Sequence, residues 1–297
     1  MVGAGEAVRL LAEQVGTDAV VTREGSGWDH VAWRVVGADG TAWIVRAARE
    51  GGAAELAAGV EREVAVRRAA RAVLGDLVPD AVVLDPGRGC TAHRRVPGVS
   101  LQDLVVAGDL AAADLARLGT EIGRIIAAVA DLPVPAGVPD DDGGFAAWFA
   151  DLPAAVAAVE HLLDADDHAA VARFLAAPPP PDASPDERRL AHNDLGAEHV
   201  LVDPGTATIT GIIDWTDVAR ADLATELGRL IRDLGPEHVE AVLEGMGVAT
   251  SARPALVERA WCYARCLVLE DLAYAVQRRA DLVAFERANL HRLFADV

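Results

Sequence analysis

The chain has 297 residues, 52% of them hydrophobic. That is enough apolar material for one large or two modest folded domains and argues against a disordered chain. Its formal net charge of −19 argues against nucleic acid or an anionic membrane as a main partner, because phosphate surfaces call for clustered Lys and Arg, and it favours cationic ligands. No apolar run reaches the ~18 residues of a membrane span, and the start lacks the basic-then-apolar pattern of a signal peptide.

Residues 5–15 carry a helix-like pattern. Three strand candidates follow, at 19–22, 31–36 and 41–46, the last two joined by the turn Ala38-Asp39-Gly40. Between the first two lies Glu24-Gly25-Ser26-Gly27-Trp28-Asp29. A small Gly-containing turn of this kind can bring backbone N–H groups close to a phosphate, although Gly-Ser-Gly is more often only a turn. Residues 54–74 predict a long helix with Glu61 and Glu63 in its middle. Ala81 to Leu84 and Cys90 to His93 predict two more strands, and the second runs into Arg94-Arg95-Val96-Pro97-Gly98. The Pro-Gly pair sets a boundary between a first unit, 1–96, and a second, 97–297.

Beyond that boundary helices dominate. Asp109 predicts an N-cap before a stripe from Leu115 to Val129, and 145–177 predict two Ala-rich helices. The run Pro178 to Pro181 predicts an exposed, stiff connection. Residues 223–234, 237–245, 254–279 and 281–294 are helical in pattern. Cys262 and Cys266 lie one helical turn apart. With no second Cys/His pair they read as buried helix residues rather than a zinc site, and three cysteines in all predict a reducing, cytoplasmic setting. A β-rich segment with one helix, followed by a largely helical segment, predicts an α+β protein of two lobes with its site in the cleft between them.

The chemistry concentrates in His192-Asn193-Asp194 through His199-Val200-Leu201, followed by Ile212-Ile213-Asp214-Trp215. Val200 to Val202 and Thr208 to Ile213 predict the strands of a hairpin, with Asp203-Pro204-Gly205 between them. Asp194 then lies just before one strand and Asp214 at the end of its partner. Two carboxylates converging on one spot suit a divalent metal and a polyphosphate. Asp194, with His192 two residues before it, can orient an attacking hydroxyl. Asp214 suits Mg²⁺, and His199 offers a further, softer ligand.

These motifs resemble those of the aminoglycoside phosphotransferase family of antibiotic kinases, which share the protein-kinase fold. His192-Asn193-Asp194 resembles the 2''-aminoglycoside kinases. His199 resembles that branch and the macrolide 2'-kinases. Ile213-Asp214-Trp215-Thr216-Asp217, and Gly27-Trp28-Asp29 with Trp43-Ile44-Val45-Arg46, resemble the macrolide branch. The resemblance implies that Asp194 positions the acceptor hydroxyl and that His199 and Asp214 bind magnesium. It implies that Gly25, Ser26 and Gly27 cover the phosphates of ATP or GTP. Arg46 stands where the family has a phosphate-contacting Lys, with Glu63 its expected helix partner and Glu61 the alternative. The segment Cys90 to Arg95, including His93 and Arg94, becomes the hinge that reads the purine through its backbone. Asp222 and Glu226 resemble an element that braces the catalytic loop.

The acceptor site is expected among the acids of the second lobe: Asp217, Glu270, Asp271 and the loop Asp140 to Asp142. The leading expectation is a monomeric kinase that phosphorylates a hydroxyl of a cationic antibiotic, an aminoglycoside before a macrolide, and so confers resistance. Kinases of cyclic-peptide antibiotics or of small metabolites, and a nucleotide-binding pseudoenzyme, are the alternatives.

Overall fold

The computed structural model describes residues 2–15, 19–26 and 30–295. The first lobe starts with α1 (Ala4–Val15) and continues through β1 (Ala19–Ser26), β2 (His30–Gly37) and β3 (Ala42–Ala48) to α2 (Ala53–Leu74), β4 (Val82–Asp85) and β5 (Cys90–Arg94). The strands form one antiparallel sheet in the order β1-β2-β3-β5-β4. β2 shows why it is a strand: Val31, Trp33 and Val35 are buried while His30, Ala32 and Arg34 are not, the period of two that one covered face requires. That covered face packs with Leu10 and Leu11 of α1, Val45 and Ala92 into a small core. The other face, with Ala32 opposite Arg46 and Ile44 opposite His93, looks into the cleft.

The rest comprises β6 (Val99–Ser100), α3 (Leu101–Ala107), α4 (Ala112–Ala130), α5 (Gly144–Val159), α6 (Ala165–Ala176), β7 (Arg189–Ala191), β8 (Val200–Asp203), β9 (Thr208–Ile212), β10 (Ala219–Ala221), α7 (Ala224–Leu234), α8 (Val239–Met246), α9 (Arg253–Arg278) and α10 (Val283–Phe294). The expected α+β class and two-lobed plan hold. Two local expectations do not. Where the sequence predicts a two-stranded hairpin, the two residues of β6 pair with β8 and make a third strand. Asp109 is not the N-cap of the following helix; Ala111 takes that place, and the Asp109 N–H closes α3 instead by bonding Leu104 O at 3.0 Å.

The second lobe holds the larger core, which also takes in Val66 and Ala70 of α2, so that helix joins the two lobes. At its centre lies α7, buried at every residue but Arg229 despite carrying Glu226, Arg232 and Asp233. It crosses α9 closely at Gly228, where a Cβ would stand 2.8 Å from the Ala260 carbonyl oxygen. This contact seats α7 under the loop between β7 and β8, which carries Asp194. Among the described residues no helix is long and apolar enough to cross a membrane.

Candidate active site

Between the lobes lies a cavity of about 890 Å³. Ala32 and Arg46 line it from the sheet, Asn193, Asp194 and His199 from the loop before β8, and Asp214, Thr216 and Asp217 from the segment after β9. Asp271 and Tyr274 of α9 and Glu286 of α10 line the opposite wall. The hairpin therefore brings Asp194 and Asp214 to one place, as its strand ends require.

The backbone is shaped for this. Asn193 and Asp214 have φ of 65° and 64°, in the left-handed region that non-glycine residues seldom adopt. Ile213 N–H bonds the His199 carbonyl at 3.0 Å and ties the two halves together. His192 does not line the cavity. Its ring is buried against Trp215, with centroids 4.8 Å apart, and Nε2 bonds the Ile213 carbonyl at 2.9 Å. Burial pushes its pKa down to about 3, so it is neutral, and Nε2 donates. The catalytic part expected of His192 is therefore corrected to a positioning one: it fastens the loop of Asp194 to the strand leading to Asp214.

Arg46 Nη2 contacts Asp214 Oδ1 at 2.6 Å, and Nη1 lies 3.8 Å from Glu63 Oε1. Glu63 is held in turn by Arg67 at 2.9 Å, whose guanidinium also bonds the Pro79 carbonyl. Glu61, the alternative, is exposed. Thr216 Oγ1 donates to the same Asp214 oxygen at 2.7 Å. Burial alone would raise the Asp214 pKa, but Arg46 first and His199 second hold the carboxyl far below the usual range.

His199 Nδ1 donates to the Asp194 carbonyl oxygen at 2.7 Å, and Nε2 faces Asp214 Oδ2 at 3.7 Å; burial alone would lower its pKa, but Glu198, Asp194 and Asp214 together raise it. When the Nε2 proton is lost, an imidazole nitrogen and a carboxylate oxygen stand within reach of one ion, a donor pair that fits a divalent cation. Glu198 comes within the same reach: its carboxylate, Asp194 and the His199 ring place ligand atoms within 4.8 Å of one another. The sequence reading passed over Glu198, whose only signal was its place beside His199.

Several other expected residues fall elsewhere. Gly25 and Ser26 close β1, with Gly25 opposite Ala32, whereas Gly27 lies outside the described residues. His93 shares the cleft face with Ile44, and its Nδ1–H donates to the Arg94 carbonyl at 2.9 Å. The Arg94 side chain lies on the opposite face, 5.8 Å over the Trp43 ring, so only its backbone is turned to the hinge. Asp217 and Asp271 line the cavity and Glu270 does not. Burial and the neighbouring Asp271 push Glu270 up to about 7. The acidic loop is used structurally: Asp140 pairs with Arg220 at 3.3 Å, and Asp141 accepts from Asn193 Nδ2 at 3.3 Å. Glu226 braces the catalytic loop by accepting from Asn193 N and Leu195 N at 2.8 and 3.1 Å. Asp222 instead holds α9 through Arg259 and caps α7 at Ala224 N.

A sheet-roofed cleft with two converging carboxylates, an Arg–Glu pair above them and a strained loop below defines a phosphotransferase of kinase architecture. Solved structures of that architecture cover nearly the whole chain. The GDP complex of aminoglycoside 2'-phosphotransferase-IIIa is 19% identical over 97% of this chain and 97% of its own, with a TM-score of 0.68. The GDP and kanamycin complex of an APH(2") enzyme is 18% identical over 97% and 98%, with a TM-score of 0.64. Macrolide 2'-phosphotransferase type I is 20% identical over 97% and 98%, with a TM-score of 0.60. At such identities the likeness shows the fold. The family is shown by the sequence: residues 20–262 match the phosphotransferase enzyme family (APH), and the chain belongs to it. No curated protein matches the chain.

Proposed function

We propose that the protein transfers the γ-phosphoryl group of ATP or GTP to a hydroxyl of a cationic antibiotic, an aminoglycoside first, and so confers resistance. The observation that carries this reading is the cavity itself, in which Asp194 and Asp214 meet beside a wall bearing Asp271, Glu286 and Glu198. The acceptor oxygen forms a bond to the γ-phosphorus while the bridging oxygen of the β-phosphate leaves, and Asp194 takes the hydroxyl proton. Arg46, steadied by Glu63, faces the phosphates from the roof. Gly25, Ser26 and Gly27 cover them, and the backbone of His93 and Arg94 meets the purine. His199 and Asp214 would hold Mg²⁺, which when bound neutralises phosphate charge. Asp217 and Asp271 contact the amines of the acceptor, and the expected part of Glu270 passes to them.

The division at 96/97 is taken as the working boundary of the nucleotide lobe, and the enzyme as a cytoplasmic monomer without nucleic-acid or membrane partners. A macrolide is the second reading, favoured by Tyr274, Ala275 and Leu282 in the cavity wall, since a macrolide brings a single amine and a large apolar body. Nucleotide consumption by the purified protein with a panel of aminoglycosides, macrolides, cyclic peptides and amino sugars decides between them. Turnover confined to a metabolite refutes the resistance reading. Asp194→Ala is expected to remove about 10³-fold of the rate with the fold intact.

A further inference from the structure

The loop that carries Asp194 is gripped from below by two successive turns of α7. Glu226 takes the Asn193 N–H at 2.8 Å and the Leu195 N–H at 3.1 Å. One turn on, Arg229 Nη2 donates to the Asn193 carbonyl at 3.0 Å, and Nη1 lies 3.2 Å from Asp194 Oδ1. Asn193, at φ 65°, is thus held at its nitrogen by one side chain and at its oxygen by the other. A left-handed residue persists where its surroundings over-determine it, and α7 supplies both restraints. On the far side of the carboxylate, Asp194 Oδ2 lies 3.4 Å from His199 Nδ1. The carboxylate therefore lies between the Arg229 guanidinium and the His199 ring.

We infer that Arg229 is a positioning residue for phosphoryl transfer, aiming the Asp194 carboxylate at the acceptor hydroxyl by bonding the strained backbone before it and the carboxylate together. The inference rests on the reading of Asp194 as the group that orients the acceptor. Three observations separate this role from that of a phosphate ligand or a plain structural cation. Both terminal nitrogens of Arg229 are committed to the loop. Its Nε is buried and makes no hydrogen bond among the described residues, so the side chain keeps its place at the expense of a donor. Arg232, one turn further along α7, is engaged quite differently, with Asp233, Asp271 and Glu198. The task needs a rigid fork that reaches two acceptors at once. A lysine brings the charge but only one direction of approach.

The test is a double-mutant cycle on the full-length protein. Phosphate release from ATP and GTP, with water in place of the hydroxyl, is read beside turnover with kanamycin as a probe. Arg229→Met is expected to lower kcat by about 10²-fold, the usual effect of a misplaced reacting group. Affinity for a non-hydrolysable nucleotide should stay within about two-fold, since no phosphate contact is lost. Arg229→Lys should recover about a tenth of the rate or less. In an Asp194→Asn background, Arg229→Met should cost almost nothing more, because the group it aims is already disabled. Equal losses in both backgrounds, nucleotide binding weakened by about ten-fold, or full rescue by lysine each overturn the proposal. If Asp194→Asn alone keeps wild-type turnover, the reading of Asp194 itself fails. Should Arg229→Met not fold, Arg229→Gln, which keeps one amide donor, takes its place in the same cycle.

Discussion

The two walls of the cleft treat charge in opposite ways. On the nucleotide wall every cation stands against its own anion: Arg46 against Asp214 at 2.6 Å, and Arg67 against Glu63 at 2.9 Å. On the acceptor wall the guanidinium of Arg232 is shared by Asp233, Asp271 and Glu198. Among the described residues Glu286, 4% exposed, accepts a side-chain hydrogen bond only from the Asn289 amide, at a long 3.4 Å. The titration behaviour follows. Asp214 is pressed far down by Arg46, whereas burial with too little cationic compensation pushes Asp271 up to about 6 and Glu286 up to about 8. A wall whose charges are already matched holds a fixed geometry. A wall with surplus acid can take a further cation, and the proposed aminated acceptor would supply one.

Breaking the matched wall should cost most. Asp214→Asn removes the carboxylate that faces His199 Nε2 and leaves the buried Arg46 without its nearest partner, so a rate loss of about 10³-fold or more is expected together with a lowered melting temperature. Steady-state kinetics with a thermal melt decide it; near-normal kcat would sink the metal-ligand role. Arg46→Met should lose about 10²-fold, and Arg46→Lys about ten-fold, since lysine reaches Asp214 or Glu63 but not both. Arg46→Met also takes the guanidinium from Asp214 Oδ1 and leaves it the Thr216 hydroxyl. Mn²⁺ binding without nucleotide, followed by electron paramagnetic resonance, should then be tighter than in the wild type. An unchanged affinity would mean that Arg46 does not compete with the ion.

The acceptor wall should answer with a different kinetic signature. Asp271→Asn keeps size and hydrogen bonding while removing a charge. It is expected to raise KM for an aminated acceptor about ten-fold at unchanged kcat, the pattern of a contact equal in ground and transition states. A fall in kcat with KM unchanged would move Asp271 from substrate binding to the framework of the cleft.

The same division explains what could be read from residues alone. The strands of the first lobe were legible because one face is covered and the other open, which writes a period of two into β2. The hairpin was legible because Asp203-Pro204-Gly205 punctuates two β-branched runs. From it the convergence of Asp194 and Asp214 followed. β6 was not legible: two residues carry no periodicity, and Val99–Ser100 becomes a strand only by finding Val202 and Leu201. His192 misled because a histidine two residues from a reactive carboxylate looks the same in sequence whether it enters a cleft or fastens the loop beneath it. Arg229, Arg232 and Glu286 went unnoticed for a related reason. Buried charges on α7 and α10 read as solvated helix faces until the tertiary fold turns them inward, and no local spacing records that.

The smallest expected effect is on stability, and it probes the surplus acid directly. The Glu286 carboxyl is faced by Asp271 and Asp233, with Arg232 the opposing cation and Asn289 its hydrogen-bond donor. Burial first, and Asp271 after it, raise its pKa to about 8 from an ordinary 4.5. Between those values the folded protein keeps a proton that the unfolded chain has released, so stability falls as pH rises from 4.5 through 8 and levels off above. Glu286→Gln removes that part of the slope. At pH 5 the variant should melt close to the wild type, because both carry a neutral side chain there. At pH 8.5 it should melt higher, by about 2 °C. A series of thermal melts from pH 5 to 9 measures the difference. A residual slope from Asp271, raised for the same reason, should persist in the variant. If Glu286→Gln instead melts lower at pH 8.5, the ionised carboxylate is stabilised by Arg232 after all. The acceptor wall would then be as fully matched as the nucleotide wall, with no surplus charge left to select a cation.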